Sequence, residues 1–327
     1  CGNSLISRFD LDADLSKALK DSKWNIDSYR VAVDTYRNAQ NKEQKREMEK
    51  IIHDIKNDFR SEISTNDPKV KRLEKVKGEI FLMANQTQLF EQSKREKAAW
   101  NKKLEKLTKE SNKLETEIRE IKDNKIYEDA FEWRFEFPEV LDDNGDYVGF
   151  DVVIGNPPYV RQEGITAIKP YLESNYKTFS GRADLYVYFY EKGFSILKEE
   201  GDICFITPNK FFRAKYGIAL RKLLADSLQI KNICDFGELP VFEEASTFPM
   251  IFIGRKSANK AEYVQYTLLK ELESLKKDVF YAVEKQSSQL STVSIQGSQW
   301  NLSSEESVQL LKKLNSENKI LKTFKDI

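Results

Sequence analysis

The stretch Phe150-Asp-Val-Val-Ile-Gly-Asn-Pro-Pro-Tyr159 joins an apolar run to an abrupt stop. Residues 152–154 predict a short buried strand, and the Gly-Asn-Pro-Pro sequence ends it. Proline donates no backbone hydrogen bond, fixes its own φ and pushes the preceding residue out of the helical region. We therefore predict a stiff, extended turn at the carboxyl end of a strand, which is where open α/β sheets place their ligands.

This turn carries one amide, Asn156, and one aromatic ring, Tyr159. An amide oxygen can accept a hydrogen bond from an exocyclic amino group, and an aromatic face can stack on a planar base. Such groups can hold an amino nitrogen in place while a group is transferred to it. An ordinary rigid turn uses the same residue types, so the surrounding sequence has to decide between the two interpretations.

The surrounding sequence resembles one enzyme family in several ordered blocks. Residues 151–160 are similar to the catalytic motif of the N6-adenine DNA methyltransferases that use S-adenosylmethionine (AdoMet). Residues 181–189, 201–212 and 241–253 resemble the later blocks of the gamma-type catalytic domain found in type IIG restriction-modification proteins. Residues 131–138 resemble the lead-in that these proteins carry before the motif. The resemblance implies a Rossmann-like α/β fold, AdoMet as cofactor and double-stranded DNA as partner, with no metal ion.

The family's mechanism implies a catalytic role for the turn itself. The target adenine leaves the duplex before its amino nitrogen can be reached. The side-chain oxygen of Asn156 and the carbonyl of Pro157 would then accept the two N6 hydrogens, with Pro158 completing the rigid turn. Tyr159 would provide one stacking face for the base.

The resemblance also implies further contacts, each with a plainer alternative. Phe242 is expected to provide the second stacking face; the alternative is Phe248, although Phe248 could also simply pack where the next strand begins. Asp184 is expected to wall the cofactor pocket or to cap the following helix. Phe189 is expected to contact the cofactor or to belong to the core.

Two more cofactor residues are implied near the start of the chain, where residues 1–6 resemble a turn that meets the cofactor's adenine. Asn3 stands where many relatives have aspartate, and Ser4 follows it. Asn156 of the motif is also expected to contact the cofactor. No glycine-rich AdoMet loop precedes the motif. We therefore expect a fragment that begins inside the methyltransferase fold and is inactive alone. Its cofactor loop, target-recognition domain and any restriction nuclease would lie elsewhere in the parent chain.

Four regions are predicted along the chain: 1–11 as the start of the methyltransferase core, 12–127 as a helical insertion, 128–256 as the catalytic core and 257–327 as a linker towards target recognition. The insertion is expected to form three or four long helices packed as antiparallel coiled-coil hairpins. Apolar residues recur three and four apart in three stretches. They are Met48, Ile52, Ile55 and Phe59; Leu73, Val76, Ile80 and Met83; and Trp100, Leu104, Leu107, Ser111, Leu114, Ile118 and Ile121, with Ser111 as a polar interruption.

Strands alternate with helices in the catalytic core, which predicts an incomplete α/β sheet. Strands are expected at 150–154, 202–207, 230–236, 250–253 and 262–268, and helices at 184–197, 214–228, 269–278 and 305–314.

Composition limits the possible partners and setting. The 53 basic and 53 acidic residues cancel, so DNA binding would have to come from a local patch or from other sequence. Cys1, Cys204 and Cys234 are too widely spaced for a disulfide framework or a metal site. No apolar run reaches the length of a membrane span and no signal peptide is visible, which favours a cytoplasmic protein.

Two other functions remain open. Enzymes with this motif also methylate planar glutamine amides of proteins, and the helical insertion and the block at 241–253 argue against that substrate. The second alternative is a catalytically incomplete scaffold in which the helical region serves assembly.

Overall fold

The computed structural model describes residues 2–8, 10–11, 24–66, 68–85, 94–123, 125–127, 129–242, 248–296 and 300–302. The chain divides into two compact units, Cys1–Val148 and Gly149–Ile327. The lead-in at 131–138 therefore belongs to the same unit as the long helices. The proposed boundaries of an insertion, at 12 and 127, stay a prediction.

The described part of the first unit includes four helices of 12 to 30 residues, which agrees with the helical periodicity of its sequence. They are α1 (Ile26–Arg37), α2 (Lys42–Asn66), α3 (Pro68–Asn85) and α4 (Lys94–Asp123). Helix α1 begins after Asn25, whose side chain accepts a hydrogen bond from the Ser28 backbone N–H at 2.8 Å. Such a cap satisfies one of the donors that a helix leaves unpaired at its start. Antiparallel packing of the helices remains a prediction.

The described periodic positions are all buried or half-buried. Ile55, Val76 and Leu107 are buried, and so is Ser111, the polar interruption. The lysines at 102, 103, 106, 109 and 113 of α4 are exposed. Two surface ion pairs, Arg72–Glu110 and Lys77–Glu115, join α3 to α4 at 2.7 Å each.

The segment at residues 2–8 lies alongside residues 127–134 of the same unit. Asn3 forms a parallel bridge with Ala130, and the Phe131 N–H donates to the Ile6 carbonyl at 2.8 Å. The Arg8 N–H donates to a Glu132 carboxylate oxygen at 2.7 Å. The chain thus leaves for the helices and returns from them at the same place.

The lead-in to the motif packs on the helices rather than forming a strand. Trp133–Glu136 is a single helical turn, α5, and Phe135 joins α1 residues such as Ile26 and Tyr29 in a buried cluster. A tight turn follows at 142–146, where the Asp142 carboxylate accepts the Asn144 and Asp146 N–H groups at 2.8 and 2.9 Å. Self-bonding of this kind is the usual reason for aspartate in turns.

The second unit is built on a six-stranded mixed sheet of order β1-β2-β4-β3-β5-β6. The strands are β1 (Phe150–Gly155), β2 (Leu197–Pro208), β3 (Leu228–Asp235), β4 (Pro249–Lys256), β5 (Tyr263–Leu268) and β6 (Ser287–Ser291). The helices are α6 (Lys169–Asn175), α7 (Tyr186–Ile196), α8 (Ile218–Ser227), α9 (Glu273–Lys277) and α10 (Val279–Gln286). Strands β1, β2, β3 and β5 point one way, and β4 and β6 run against them.

This architecture confirms the predicted α/β class and the first five strands. The last strand, β6, was not predicted, because its sequence Ser-Ser-Gln-Leu-Ser resembles a turn region. The helix predicted at 269–278 is confined to α9, and the one predicted at 305–314 lies outside the described residues. None of the described helices is long and apolar enough to cross a membrane.

Helix α7 packs closely on β2 and forms the core of the second unit. A Cβ added at Gly193 would lie 2.9 Å from the Ile203 Cδ1 atom and 3.0 Å from the Phe205 Cζ atom, so a larger residue there would force these side chains to shift. Tyr190 is buried, with its ring 5.3 Å from that of Phe205 and its hydroxyl 2.8 Å from the Thr207 hydroxyl. A buried tyrosine with a bonded hydroxyl leaves no polar group unpaired.

Strand β1 departs from the prediction in its burial. Val152 is 55% exposed and Ile154 is 76% exposed, so the prediction of a buried strand is wrong. The described residues pair β1 with β2 alone, which makes β1 an edge of the sheet. Apolar sequence identified the strand, but only its place in the sheet determines burial.

Candidate active site

The turn after β1 presents the Asn156 side chain to solvent. Asn156 is exposed, Pro157 is buried and Pro158 is exposed. No described residue forms a hydrogen bond with the Asn156 carboxamide or the Pro157 carbonyl. The exposed Asn156 carboxamide is therefore open to a ligand at the carboxyl end of the strand, next to the unbonded carbonyl of the buried Pro157.

Tyr159 is fixed against the neighbouring strand. Its hydroxyl donates to the Ile206 carbonyl of β2 at 3.2 Å, and the side chain is half-buried. Burial raises the pKa of Tyr159 to about 12, so the hydroxyl stays a neutral donor at physiological pH. The hydrogen bond thereby holds the Tyr159 side chain in place three residues after Asn156.

Phe242 approaches Tyr159 from the segment that follows β3. The two ring centroids are 6.0 Å apart and the ring planes are inclined by 73°, an edge-to-face contact. Phe248 is exposed and makes no ring contact with Tyr159 among the described residues. The contact favours Phe242 over Phe248 as a partner of Tyr159. Because the two rings are not parallel, a base could enter between them only if the Phe242 ring turned.

Asp184 joins the turn to the helix that follows it. Its carboxylate accepts the Gln162 backbone N–H at 3.1 Å, and it makes no capping bond to α7. The Leu185 N–H donates to the Val160 carbonyl at 2.9 Å beside it. Burial raises the pKa of Asp184, opposed by the Gln162 hydrogen bond and the nearby charge of Lys210. The alternative that Asp184 caps the helix is wrong; its side chain holds the segment after Tyr159.

The other expected cofactor residues occupy different surroundings. Phe189 is half-buried in α7. In the first unit, the Asn3 side-chain oxygen accepts the Leu5 N–H at 3.1 Å, and the Ser4 carbonyl accepts the Trp133 indole N–H at 3.1 Å. The Asn3 carboxamide thus forms a local turn with its oxygen and keeps its NH2 group as a donor. Cofactor contacts by these residues stay predictions.

A second polar cluster, which was not predicted from the sequence, lies at the carboxyl ends of β2 and β3. Asn209 follows β2, and its side-chain NH2 donates to the buried carboxylate of Asp235 at 2.9 Å. The signal was present, since Thr-Pro-Asn ends an apolar strand as Gly-Asn-Pro does after β1.

Comparison with known proteins defines the class. The Eco57I restriction-modification methylase family matches residues 6–242, and the chain belongs to that family. The predicted fold, that of AdoMet-dependent methyltransferases, is confirmed, and S-adenosylmethionine is the cofactor of this family.

Individual relatives match shorter stretches. The Type II methyltransferase M.BstVI of Geobacillus stearothermophilus is 36% identical over 132 residues, which are 38% of this chain and 23% of that protein. The Type II restriction enzyme and methyltransferase RM.Eco57I of Escherichia coli is 29% identical over 121 residues, 36% of this chain and 12% of that protein. The matches thus span less than a quarter of the length of these relatives.

Solved structures resemble the chain weakly. A modification subunit of a putative type I restriction enzyme from Vibrio vulnificus YJ016 has a TM-score of 0.38 and 12% identity, over 50% of this chain and 40% of that chain. The type IIG restriction endonuclease BpuSI has a TM-score of 0.34 and 18% identity, over 44% of this chain and 19% of that chain.

The residues present fit part of an AdoMet methyl-transfer site. The exposed Asn156 carboxamide and the unbonded Pro157 carbonyl beside it suit the substrate side, where an amino group must be held. On the cofactor side, the glycines before β1 stand singly at positions 2, 78, 145 and 149. None of them forms a glycine-rich turn of the kind that cradles a cofactor.

Proposed function

We propose that this chain carries the substrate-binding part of a DNA adenine-N6 methyltransferase of a restriction-modification system. The observation that supports this most directly is the exposed Asn156 carboxamide, which no described residue bonds, at the end of β1. Two acceptors that follow one another in a rigid turn match the two hydrogens of one amino group.

Bound AdoMet supplies an activated methyl group, and the protein's contribution is to present the nitrogen. The Asn156 side-chain oxygen and the Pro157 carbonyl accept the two N6 hydrogens. This draws the nitrogen lone pair out of conjugation with the ring and directs it towards the methyl group. The effect is one of orientation, which can contribute several kcal/mol to lowering a barrier.

Tyr159 replaces part of the stacking that the base loses on leaving the duplex. Flipping costs a few kcal/mol, and an aromatic ring returns roughly 1–3 kcal/mol. The hydroxyl bond to Ile206 keeps the ring from following the base or turning away. Phe242 forms the opposite face after turning from its edge-to-face contact.

A local group of cations supports a nucleic-acid partner despite the net charge of zero. Lys210, Arg213 and Lys215 are exposed after β2, and the segment 209–217 contains no acidic residue. Arg161 and Arg182 are exposed on the segment that follows the Asn156 turn. None of the five forms an ion pair with a described residue. We infer that they contact phosphates, which would make binding weaken steeply with salt.

The proposal is tested with the complete gene product that carries this chain, unmethylated duplex DNA and AdoMet labelled in its methyl group. Labelled N6-methyladenine in the digested DNA, lost in Asn156→Ala, supports it. Label in cytosine would overturn the adenine assignment. Label in a glutamine-containing protein but none in DNA would favour the glutamine alternative.

Calorimetry of AdoMet binding separates an enzyme from an incomplete scaffold. We expect binding by the complete gene product. For this chain alone we expect weak or no binding and no turnover, because no glycine-rich turn precedes β1. Failure of both to bind would favour the scaffold, and tight binding by this chain alone would contradict the expectation that it is inactive by itself.

A further inference from the structure

Asn209 forms hydrogen bonds on both sides of the segment that carries Phe242: its side chain bonds the residue before the segment, and its backbone bonds the residue where the chain is described again. Residues 236–242 follow β3, and the chain is described again from Phe248, where β4 begins. The Asn209 side-chain NH2 donates to the Asp235 carboxylate at 2.9 Å, at the first end. The Asn209 backbone N–H donates to the Phe248 carbonyl at 2.8 Å, at the second end.

Asp235 passes this attachment on to the segment. The same carboxylate oxygen that accepts from Asn209 also accepts the Gly237 N–H at 2.9 Å. The other oxygen accepts the Tyr266 hydroxyl at 3.4 Å. Gly237 has a φ of +55°, so the chain reverses direction where the carboxylate holds it. Asn209 is thus one of three described donors to this buried carboxylate, and its loss would leave Asp235 with only the Gly237 and Tyr266 donors.

The other ring is held from the same strand end. The Tyr159 hydroxyl bonds the Ile206 carbonyl, three residues before Asn209 on β2. Strand β2 therefore fixes Tyr159 through the Ile206 backbone carbonyl. It fixes the Phe242 segment through Asn209, the residue directly after the strand. Among the described residues, Asn209 forms no hydrogen bond with Asn156, Tyr159 or Phe242.

We propose that Asn209 is a positioning residue: through Asp235 it holds residues 236–242, which set Phe242 against Tyr159. Its value for catalysis rests on the proposed function, in which the two rings receive the flipped base. Asparagine suits the position because it donates to a carboxylate without adding charge. Aspartate there would place two carboxylates in contact.

The first experiment reads the ring position without any assay of methylation. 4-Fluorophenylalanine is introduced at position 242, and its ¹⁹F resonance is recorded in the otherwise unchanged protein and in Tyr159→Ala, which removes the ring contact. Asn209→Ala should move the resonance in the same direction as Tyr159→Ala. Asn209→Ser, which keeps a short donor, should move it less.

Asn175→Ala is the matched control, because the Asn175 side chain donates to the Tyr171 carbonyl at 2.8 Å at the end of α6. It also loses one side-chain hydrogen bond, and it should leave the ¹⁹F resonance in place. An unchanged resonance in Asn209→Ala would overturn the positioning role. If that variant does not fold, the same judgement is made on Asn209→Ser.

The second experiment connects the ring to the reaction in the complete gene product. With 2-aminopurine in place of the target adenine, Asn209→Ala should lower the fluorescence rise that follows base flipping. On unsubstituted duplex DNA, kcat for methylation should fall about tenfold. AdoMet affinity should stay unchanged. A merely structural role would lower the melting temperature and leave kcat of the folded fraction intact. If the unmodified gene product methylates no DNA while the ¹⁹F shift is present, the proposed function fails and the positioning of Phe242 by Asn209 stands.

Discussion

Two asparagines end neighbouring parallel strands of the second unit, and the fold treats them differently. Asn156 follows β1 and its carboxamide has no described partner. Asn209 follows β2, and both its side chain and its backbone N–H are bonded. The two strands differ in the same way, since β1 is an edge and β2 lies between two neighbours. An amide after a buried central strand is used to hold the protein, whereas one after an exposed edge is free for a ligand.

The largest effect should come from the free amide. Asn156→Ala should lower methylation by about a hundredfold or more, because the amino group loses one of its two acceptors. The melting temperature should not change, since no described residue bonds this side chain. Asn156→Asp keeps an acceptor and should retain more activity than alanine. A large loss of stability in Asn156→Ala would show that the amide is not free.

The two strands can be compared by the same substitution, isoleucine to alanine, at one position in each strand. Ile203→Ala on β2 should lower the free energy of unfolding by about 2–5 kcal/mol, because a buried isoleucine leaves a cavity. Ile154→Ala on β1 should change it by less than about 0.5 kcal/mol, because that side chain is exposed. Urea unfolding of both variants measures the difference. Equal losses would mean that β1 is covered in solution.

Enzyme kinetics should distinguish the contribution of the Tyr159 ring from that of its hydroxyl. Tyr159→Ala should lower kcat/KM for DNA about ten- to hundredfold through lost stacking. Tyr159→Phe keeps the ring and loses only the bond to Ile206, so a change of a few-fold is expected. If the two variants were equally impaired, the hydroxyl rather than the ring would be the important group.

The smallest effect concerns acid stability. Asp202 on β2 bonds Arg255 of β4 and Lys231 of β3, and the Arg255 hydrogen bonds are the main cause that lowers the pKa of Asp202 to about 2. Because this value lies below that of the unfolded chain, the stabilisation is present above pH about 4 and is lost as the pH falls through 2.

Asp202→Asn should therefore lower the free energy of unfolding by about 0.5–1 kcal/mol at neutral pH, with the difference vanishing near pH 2. Asp151→Asn is the control, because Asp151 lies on β1 in an exposed pair with Lys198. Thermal unfolding across pH 2–7 measures both variants. A difference for Asp202→Asn that did not depend on pH would exclude its ion pairs as the cause.

Sequence sufficed for the elements and the family but not for the environment of individual residues. The apolar runs located β1 to β5, and the ordered blocks around the Asn-Pro-Pro-Tyr turn indicated the family that residues 6–242 match. Burial of β1 was predicted wrongly, because an apolar run looks the same at an edge and in the middle of a sheet. Strand β6 was missed since its serines favour turns, and its pairing with β5 comes from tertiary context.

Only part of the candidate site could be predicted from the sequence, because the sequence does not show which distant residues the fold brings together. Asn156 and Tyr159 stand in one short motif, so sequence could name them. The bonds of Asp184 to Gln162 and of Asn209 to Asp235 join residues 22 and 26 positions apart, respectively. Only the folded sheet brings the partners of such pairs together, and each partner alone is an ordinary turn residue.

The bonded contact between residues 2–8 and 127–134 has a consequence for how the helical region can change. It closes the chain at Asn3 and Ala130, so everything between them is one loop whose ends are already joined. Doubling the length of such a loop adds only about 0.6 kcal/mol of closure entropy. Changes in length confined to α3 and α4 should therefore cost the flanks little, whereas α1 packs on Phe135 of the lead-in and could not be lost so cheaply. Surveys of length variation, or designed deletions within α3 and α4, would show whether the contacts between residues 2–8 and 127–134 persist when the enclosed region changes in length.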